Sequence, residues 1–110
     1  MVSIRVGARA PDFTLPVLGT AGVVTDTVRL HDLAGAPVVL VFWASWCPSC
    51  QTDAALIEGL HADYAEKGLR VVGVNFGRLD HIDRARAFVD RYALTYAQLR
   101  DESGDVANAY

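Results

Sequence analysis

The stretch that most constrains this chain is Val38-Val39-Leu40-Val41-Phe42-Trp43, followed after Ala44-Ser45-Trp46 by Cys47-Pro48-Ser49-Cys50. The first part is an unbroken apolar run of β-branched and aromatic residues. It is too short for a typical helix and suits a strand covered on both faces. Pro48 fits the first position of a helix, where a backbone N–H would lack a partner in any case. The sequence therefore predicts strand, turn and helix, with Cys47 at the helix N-cap and Cys50 one turn further in.

That placement has a chemical consequence. The open N–H groups and the dipole of a helix N-terminus favour negative charge, and such a site lowers a thiol pKa. Cys47 is expected to be the exposed, nucleophilic sulfur. Cys50 is near enough to close a disulfide with it and resolve a mixed disulfide. A Cys-x-x-Cys pair at a strand–helix junction points to thiol–disulfide exchange. A tetrahedral zinc site would need two more ligands, and His31, His61 and His81 include no pair at ligand spacing. No metal is expected, and no cofactor beyond a redox-active Cys47–Cys50 disulfide.

The remaining features bound the molecule. The 110 residues make one domain, and 52% hydrophobic content fits a compact α/β protein rather than a disordered one. A net charge of −3 gives no reason to expect nucleic acid or an anionic membrane as partner. No apolar run approaches the roughly 20 residues of a membrane span. No signal peptide is visible after Met1-Val2-Ser3-Ile4-Arg5. Two cysteines in one motif leave the redox compartment open.

Along the chain, Asp12–Leu15 and Thr27–Leu30 alternate polar and apolar residues and read as a hairpin, with Leu18–Asp26 as a loop between them. His31–Gly35 reads as a helical turn, with His31 in solvent. The helix from Pro48 should run to about Lys67 and stop at Gly68. Its apolar stripe is expected to be Leu56, Ile57, Leu60 and Tyr64, and extending the stripe backwards reaches Asp53 and Cys50. Asp53 is thus expected on the core-facing side and partly desolvated, with Gly59 and His61 on the surface. Leu69–Phe76 reads as a second strand parallel to the first. A helix should follow from Asp80, its cap, to about Tyr92. Ile82, Ala85, Phe88, Val89 and Tyr92 would face inward, and Asp83, Arg84, Arg86, Asp90 and Arg91 would face solvent. Thr95–Leu99 is a candidate edge strand, Asp101–Gly104 a turn, and Asp105–Tyr110 the start of a helix. Trp43 belongs to the core. Trp46, directly before Cys47, should offer apolar surface to a docking partner, with Pro48 beside it.

Several stretches resemble the TlpA/ResA-like thiol–disulfide oxidoreductases of the thioredoxin superfamily. They are Gly7-Ala8-Arg9-Ala10-Pro11-Asp12-Phe13, Phe42-Trp43-Ala44-Ser45-Trp46-Cys47-Pro48-Ser49-Cys50 and Val71-Val72-Gly73-Val74-Asn75. Phe88-Val89 and Asp105–Tyr110 fit as well, so the resemblance covers nearly the whole chain. It implies a thioredoxin-like α/β fold with an added N-terminal β-hairpin. It also implies dithiol–disulfide exchange with protein partners in the periplasm or elsewhere outside the cytoplasm, more often as reductant. Cys47 matches the family's attacking cysteine and Cys50 its resolving one. Asp53 stands where many members carry a glutamate, Val41 where thioredoxin has a buried aspartate, and Ala55 where the family usually has proline.

The family continues past the equivalent of Tyr110 with a cis-proline loop, two strands and a helix. None of Pro11, Pro16, Pro37 and Pro48 can be that cis-proline. The expectation is therefore a domain over residues 1–110 that is incomplete at its C-terminus, lacking the final two strands and helix. The strand Val38–Trp43 would then have an unpaired edge, which would drive assembly with a second copy and weaken catalysis. Two further readings stay open: a binding or assembly module with little activity, and a peroxiredoxin-type peroxidase. Against the second, Ala44 stands where that chemistry usually needs a hydroxyl.

Overall fold

The computed structural model describes residues 6–18 and 26–110. Strands β1 (Thr14–Pro16) and β2 (Thr27–Arg29) pair antiparallel as the expected hairpin. Most of the loop between them lies outside the described residues. A 3-10 turn over Leu30–Leu33 follows. The main sheet contains β3 (Val38–Trp43), β4 (Arg70–Asn75) and β5 (Ala97–Arg100), all parallel, in the order β3-β4-β5. Helix α1 (Pro48–Tyr64) links β3 to β4, α2 (Ile82–Arg91) links β4 to β5, and α3 (Asp105–Ala109) ends the described chain.

The continuous apolar runs of β3 and β4 are explained by cover on both sheet faces. Val39, Val41, Trp43 and Val71 face one core, shared with Ala54 of α1 and with Ala85 and Phe88 of α2. Val38, Leu40, Phe42, Val72 and Val74 face the other, closed by Phe13, Leu15, Leu99 and Val106. Successive strand residues alternate between the two cores, as the pleat requires. Trp43 is 2% exposed and stacks on Phe88 with ring centroids 4.7 Å apart. Its indole N–H donates to Gln98 Oε1 at 2.9 Å, across the top of Gly73.

Helix α1 begins at Pro48 and ends as expected: a 3-10 turn over Ala65–Lys67 leads to Gly68 at φ +96°. Its inward face, however, is rotated from the one the sequence predicts. Ala54 is its buried residue and Cys50 and Ile57 pack against the same core, while Leu56 is 71% exposed and Tyr64 is exposed. The inward line runs Cys50, Ala54, Ile57, His61. Asp53 and Leu56 each sit one residue, about 100° of rotation, off it. His61 is accordingly half-buried rather than on the surface, its ring centroid 5.9 Å from that of Tyr96.

Helix α2 starts later than expected. His81 is its cap, with Nδ1 accepting the Asp83 N–H at 3.2 Å, and Asp80 is buried elsewhere. The face of α2 behaves as read from the sequence, with Ala85 and Phe88 buried. Strand β5 lies at the sheet edge but is not open to solvent. Val17 bridges to Leu99, Leu18 N–H donates to the Gln98 carbonyl at 2.8 Å, and Leu99 is fully buried. The opposite edge, along β3, has no strand beside it among the described residues.

Gly73 makes the Trp43–Gln98 crossing possible. A Cβ there would stand 2.0 Å from Gln98 Oε1. Gly73→Ala should therefore destabilise the protein by ~1–3 kcal/mol, the usual cost of overpacking a core. Gly59→Ala, in open space on α1, should stabilise by ~0.5–1 kcal/mol. Urea unfolding of the two variants checks both; an unchanged midpoint for Gly73→Ala would mean that Gln98 moves aside freely.

Candidate active site

Cys47 occupies the N-cap of α1 with extended backbone, φ −80° and ψ 115°. Its Sγ accepts the Cys50 N–H at 3.3 Å and lies 3.3 Å from Ser49 Oγ. The sulfur does what a serine or aspartate oxygen usually does at this position: it takes one of the unpaired N–H groups of the first turn. A thiolate accepts such bonds better than a thiol, so the geometry favours the charged form. The Cys50 thiol, the Ser49 hydroxyl and the Cys50 backbone N–H together hold the Cys47 pKa below its ordinary value.

Cys50 has the opposite environment. Burial against the core and its role as hydrogen-bond donor to Cys47 push its pKa up to about 11, with the negative charges of Cys47 and Asp53 adding to the shift. The two sulfurs are not bonded to each other in this structure. One sulfur is partly exposed and stabilised as a thiolate. The other is held as a thiol until its neighbour's charge has been spent.

The other residues singled out from the sequence fall around this pair. Pro48 is exposed at the first helical position. Trp46 is 55% exposed, and its indole N–H donates to the Leu79 carbonyl at 2.9 Å, which fixes the ring beside Cys47. Asp53 is exposed rather than core-facing, for the rotational reason given above. It still lines, with Cys50, Ile57, Trp43 and Tyr96, a cavity of about 170 Å³. His31 is exposed. Among the described residues no three His, Cys, Asp or Glu side chains converge as a metal site would need, and no helix is long and apolar enough to cross a membrane.

A polar network that local sequence pattern did not bring out lies behind the cysteines. Asp80, 5% exposed, accepts the Ser45 N–H and the Ser45 hydroxyl at 2.7 Å each. It also accepts a bond from Asn75 Nδ2 at 3.0 Å. Arg100, 4% exposed, donates to Asn75 Oδ1 at 2.8 Å and to the Asp80 carbonyl at 2.8 Å. The ends of β4 and β5 are thereby tied to the turn that precedes Cys47. Gln51 adds a bond from its side-chain amide to the Ser45 carbonyl at 2.9 Å. One available sign was Asn75, a polar residue closing an otherwise apolar strand.

Comparison with known proteins adds to this geometry. The sequence profile of the AhpC/TSA family matches residues 6–110. The thiol-disulfide oxidoreductase ResA of Oceanobacillus iheyensis is 38% identical over 106 residues, which cover 96% of this chain and 54% of that protein. Among solved structures, a Chlorobium tepidum protein assigned as thiol:disulfide interchange protein DsbE superposes with a TM-score of 0.85 at 32% identity, over 98% of this chain and 71% of its own. A secreted Mycobacterium tuberculosis disulfide oxidoreductase homologous to E. coli DsbE superposes at 0.75 and 28% identity, over 89% and 66%. The fold is thioredoxin-like, and the chain spans about half the length of the curated relatives it matches.

The split between the two thiols gives a direct prediction. With limiting iodoacetamide at neutral pH, Cys47 should be carboxamidomethylated well before Cys50, as read by peptide mass mapping. Faster labelling of Cys50 would reverse the roles assigned to the two sulfurs.

Proposed function

Because this chain belongs to the AhpC/TSA family, and its relatives there carry thiol–disulfide oxidoreductase names, we propose that residues 1–110 act as one thioredoxin-like unit exchanging disulfides with partner proteins, as a reductant. The observation that carries this reading is the Cys47 sulfur at the N-cap of α1, accepting the Cys50 N–H. In the proposed cycle the Cys47 thiolate attacks one sulfur of a partner disulfide. A mixed disulfide forms, and the other partner sulfur leaves as thiolate and takes a proton. Cys50 then loses its proton and attacks the Cys47 sulfur. The Cys47–Cys50 bond forms and the partner departs fully reduced, having gained two electrons. An external dithiol must return the pair to its reduced state.

Within this cycle Asp53 is the proposed acceptor of the Cys50 proton. It lines the same cavity as Cys50, and its exposure keeps it in contact with water that can carry the proton away. Trp46 and Pro48 are the proposed docking surface, both exposed beside Cys47. A location outside the cytoplasm is proposed as well, supported by the secreted M. tuberculosis relative. The peroxidase reading is not favoured, since Ala44, fully buried, stands three positions before Cys47. Nor is that of an inactive binding module, because both thiols have the environments that exchange requires.

The open edge of β3 supports one more proposal, that this edge takes up a further strand from a second copy of the chain. Its backbone groups and half-buried apolar side chains gain partners by doing so. Sedimentation of the isolated 110-residue chain reads this out: a dimer or larger species is expected, and a strictly monomeric, cooperatively unfolding chain would contradict it.

The cycle is tested by trapping. Cys50→Ser should accumulate a stable mixed disulfide through Cys47 with a disulfide-bearing substrate, and Cys47→Ser should form none. Asp53→Asn should slow release of reduced partner and alter the pH dependence of that step alone. Trapping through Cys50 would contradict the assignment of roles, and an unchanged pH dependence would remove Asp53 from the cycle.

A further inference from the structure

A second cleft lies between α2 and the turn that precedes Cys47. It has a volume of about 310 Å³, and its walls include Ser45, Trp46, Gln51, Arg84, Arg91 and Tyr92. Trp46 spends its one N–H on the Leu79 carbonyl, so only the ring's apolar faces remain for a ligand. Arg84 and Arg91 lie seven residues apart on α2, close to two full helical turns, and share one face. Both are exposed.

Among the described residues neither Arg84 nor Arg91 has a carboxylate within ion-pairing distance. The neighbouring Asp83 is taken by Arg86 at 2.9 Å. Arg91 lies over the Tyr92 ring, 5.4 Å from its centroid, which leaves its N–H groups available in the plane. Two guanidiniums thus flank an aromatic-walled groove that leads to the residue before Cys47, on a chain whose net charge is −3. A guanidinium is a fixed fork of donors matched to a carboxylate.

We propose that this cleft is a specificity site for the disulfide partner: it takes an acidic segment of that protein, with carboxylates close in sequence to the reacting cysteine. The proposal rests on the oxidoreductase reading and names the substrate class for it. The apolar part of the segment lies on Trp46 and Tyr92, and its carboxylates pair with Arg84 and Arg91. The exchange chemistry at Cys47 is unchanged; the cleft raises the rate of productive encounter and fixes the register of the partner's disulfide opposite the sulfur. Exposed charges of this kind act mainly on association rate, and salt weakens them.

The test compares three disulfides reacting with the reduced chain at low salt: a peptide with aspartates flanking its disulfide, the same peptide with lysines, and a small neutral disulfide. The acidic peptide should react on the order of tenfold faster than the basic one, and the difference should shrink in high salt. Arg84→Gln with Arg91→Gln should abolish the preference, and Arg84→Glu with Arg91→Glu should reverse it. Neither pair should alter the rate with the neutral disulfide or the alkylation of Cys47. Equal rates for both peptides, or a preference that survives charge reversal, would overturn the proposal. If the neutral disulfide also fails to react, the oxidoreductase reading itself falls and takes this one with it. If charge reversal changes the sedimentation of the chain instead of its peptide preference, the cleft contacts a second copy and the proposal is wrong.

Discussion

The carboxylate of Asp80 accepts both the backbone N–H and the hydroxyl of Ser45, and so fixes the turn that joins β3 to α1. The reactive end of the molecule depends on that hold. Strand β3 ends at Trp43, and α1 begins at Pro48. Between them the chain must reverse and aim the first helical turn outward at the C-terminal edge of a parallel sheet. Asn75 and Arg100 bring the ends of β4 and β5 to the same point. A buried carboxylate with three donors stabilises the native state only while its partners stay in place. Removing one of them leaves a buried acceptor short of a partner, which costs ~1–3 kcal/mol. The turn is therefore held more stiffly than a surface loop, and the position of Cys47 at the helix N-cap is inherited from it.

Given that position, the difference between the sulfurs follows from elementary electrostatics. Cys47 accepts hydrogen bonds and faces water. Cys50 donates one, is partly buried, and senses the negative charge of its neighbour first and of Asp53 last. Deprotonating the second thiol before the first has reacted would place two negative charges side by side. The two thiols thus favour losing their protons in sequence, Cys47 before Cys50. Once the Cys47 sulfur is bonded to a partner its charge is gone, and one of the causes that held the Cys50 proton disappears with it.

Much of this could be read from the residues. β3 was legible to its ends because both sheet faces are covered, and the same cover explains why β4 reads as an apolar run. The start and stop of α1 were legible because Pro48 and Gly68 are strong local signals. The phase of α1 was not. The apolar residues suggest a stripe of Leu56, Ile57, Leu60 and Tyr64 that reaches back to Asp53 and Cys50; a second line runs Cys50, Ala54, Ile57 and His61. Packing selects the second because small Ala54 lets the helix approach the sheet, which leaves Asp53 and Leu56 outside. Asp80 was misread as a helix cap because its true partners, Ser45 and Asn75, cannot be inferred from local pattern. Arg100 was invisible for the same reason: apart from the nearby Glu102, its partners lie twenty or more residues away along the chain.

The central claim is that the two thiols titrate far apart. Ultraviolet thiolate absorbance of the fully reduced chain, followed from acid to alkaline pH and corrected by subtracting the Cys47→Ala/Cys50→Ala double variant so that the ionising tyrosines cancel, measures this directly. Two separate steps are expected: one below the ordinary thiol value, from Cys47, and one near pH 11, from Cys50. In Cys50→Ala the second step should vanish. The first should move to higher pH, because the thiolate has lost its strongest side-chain donor. A single step at the ordinary value accounting for both sulfurs, or a first step that stays in place when Cys50 is removed, would contradict the account.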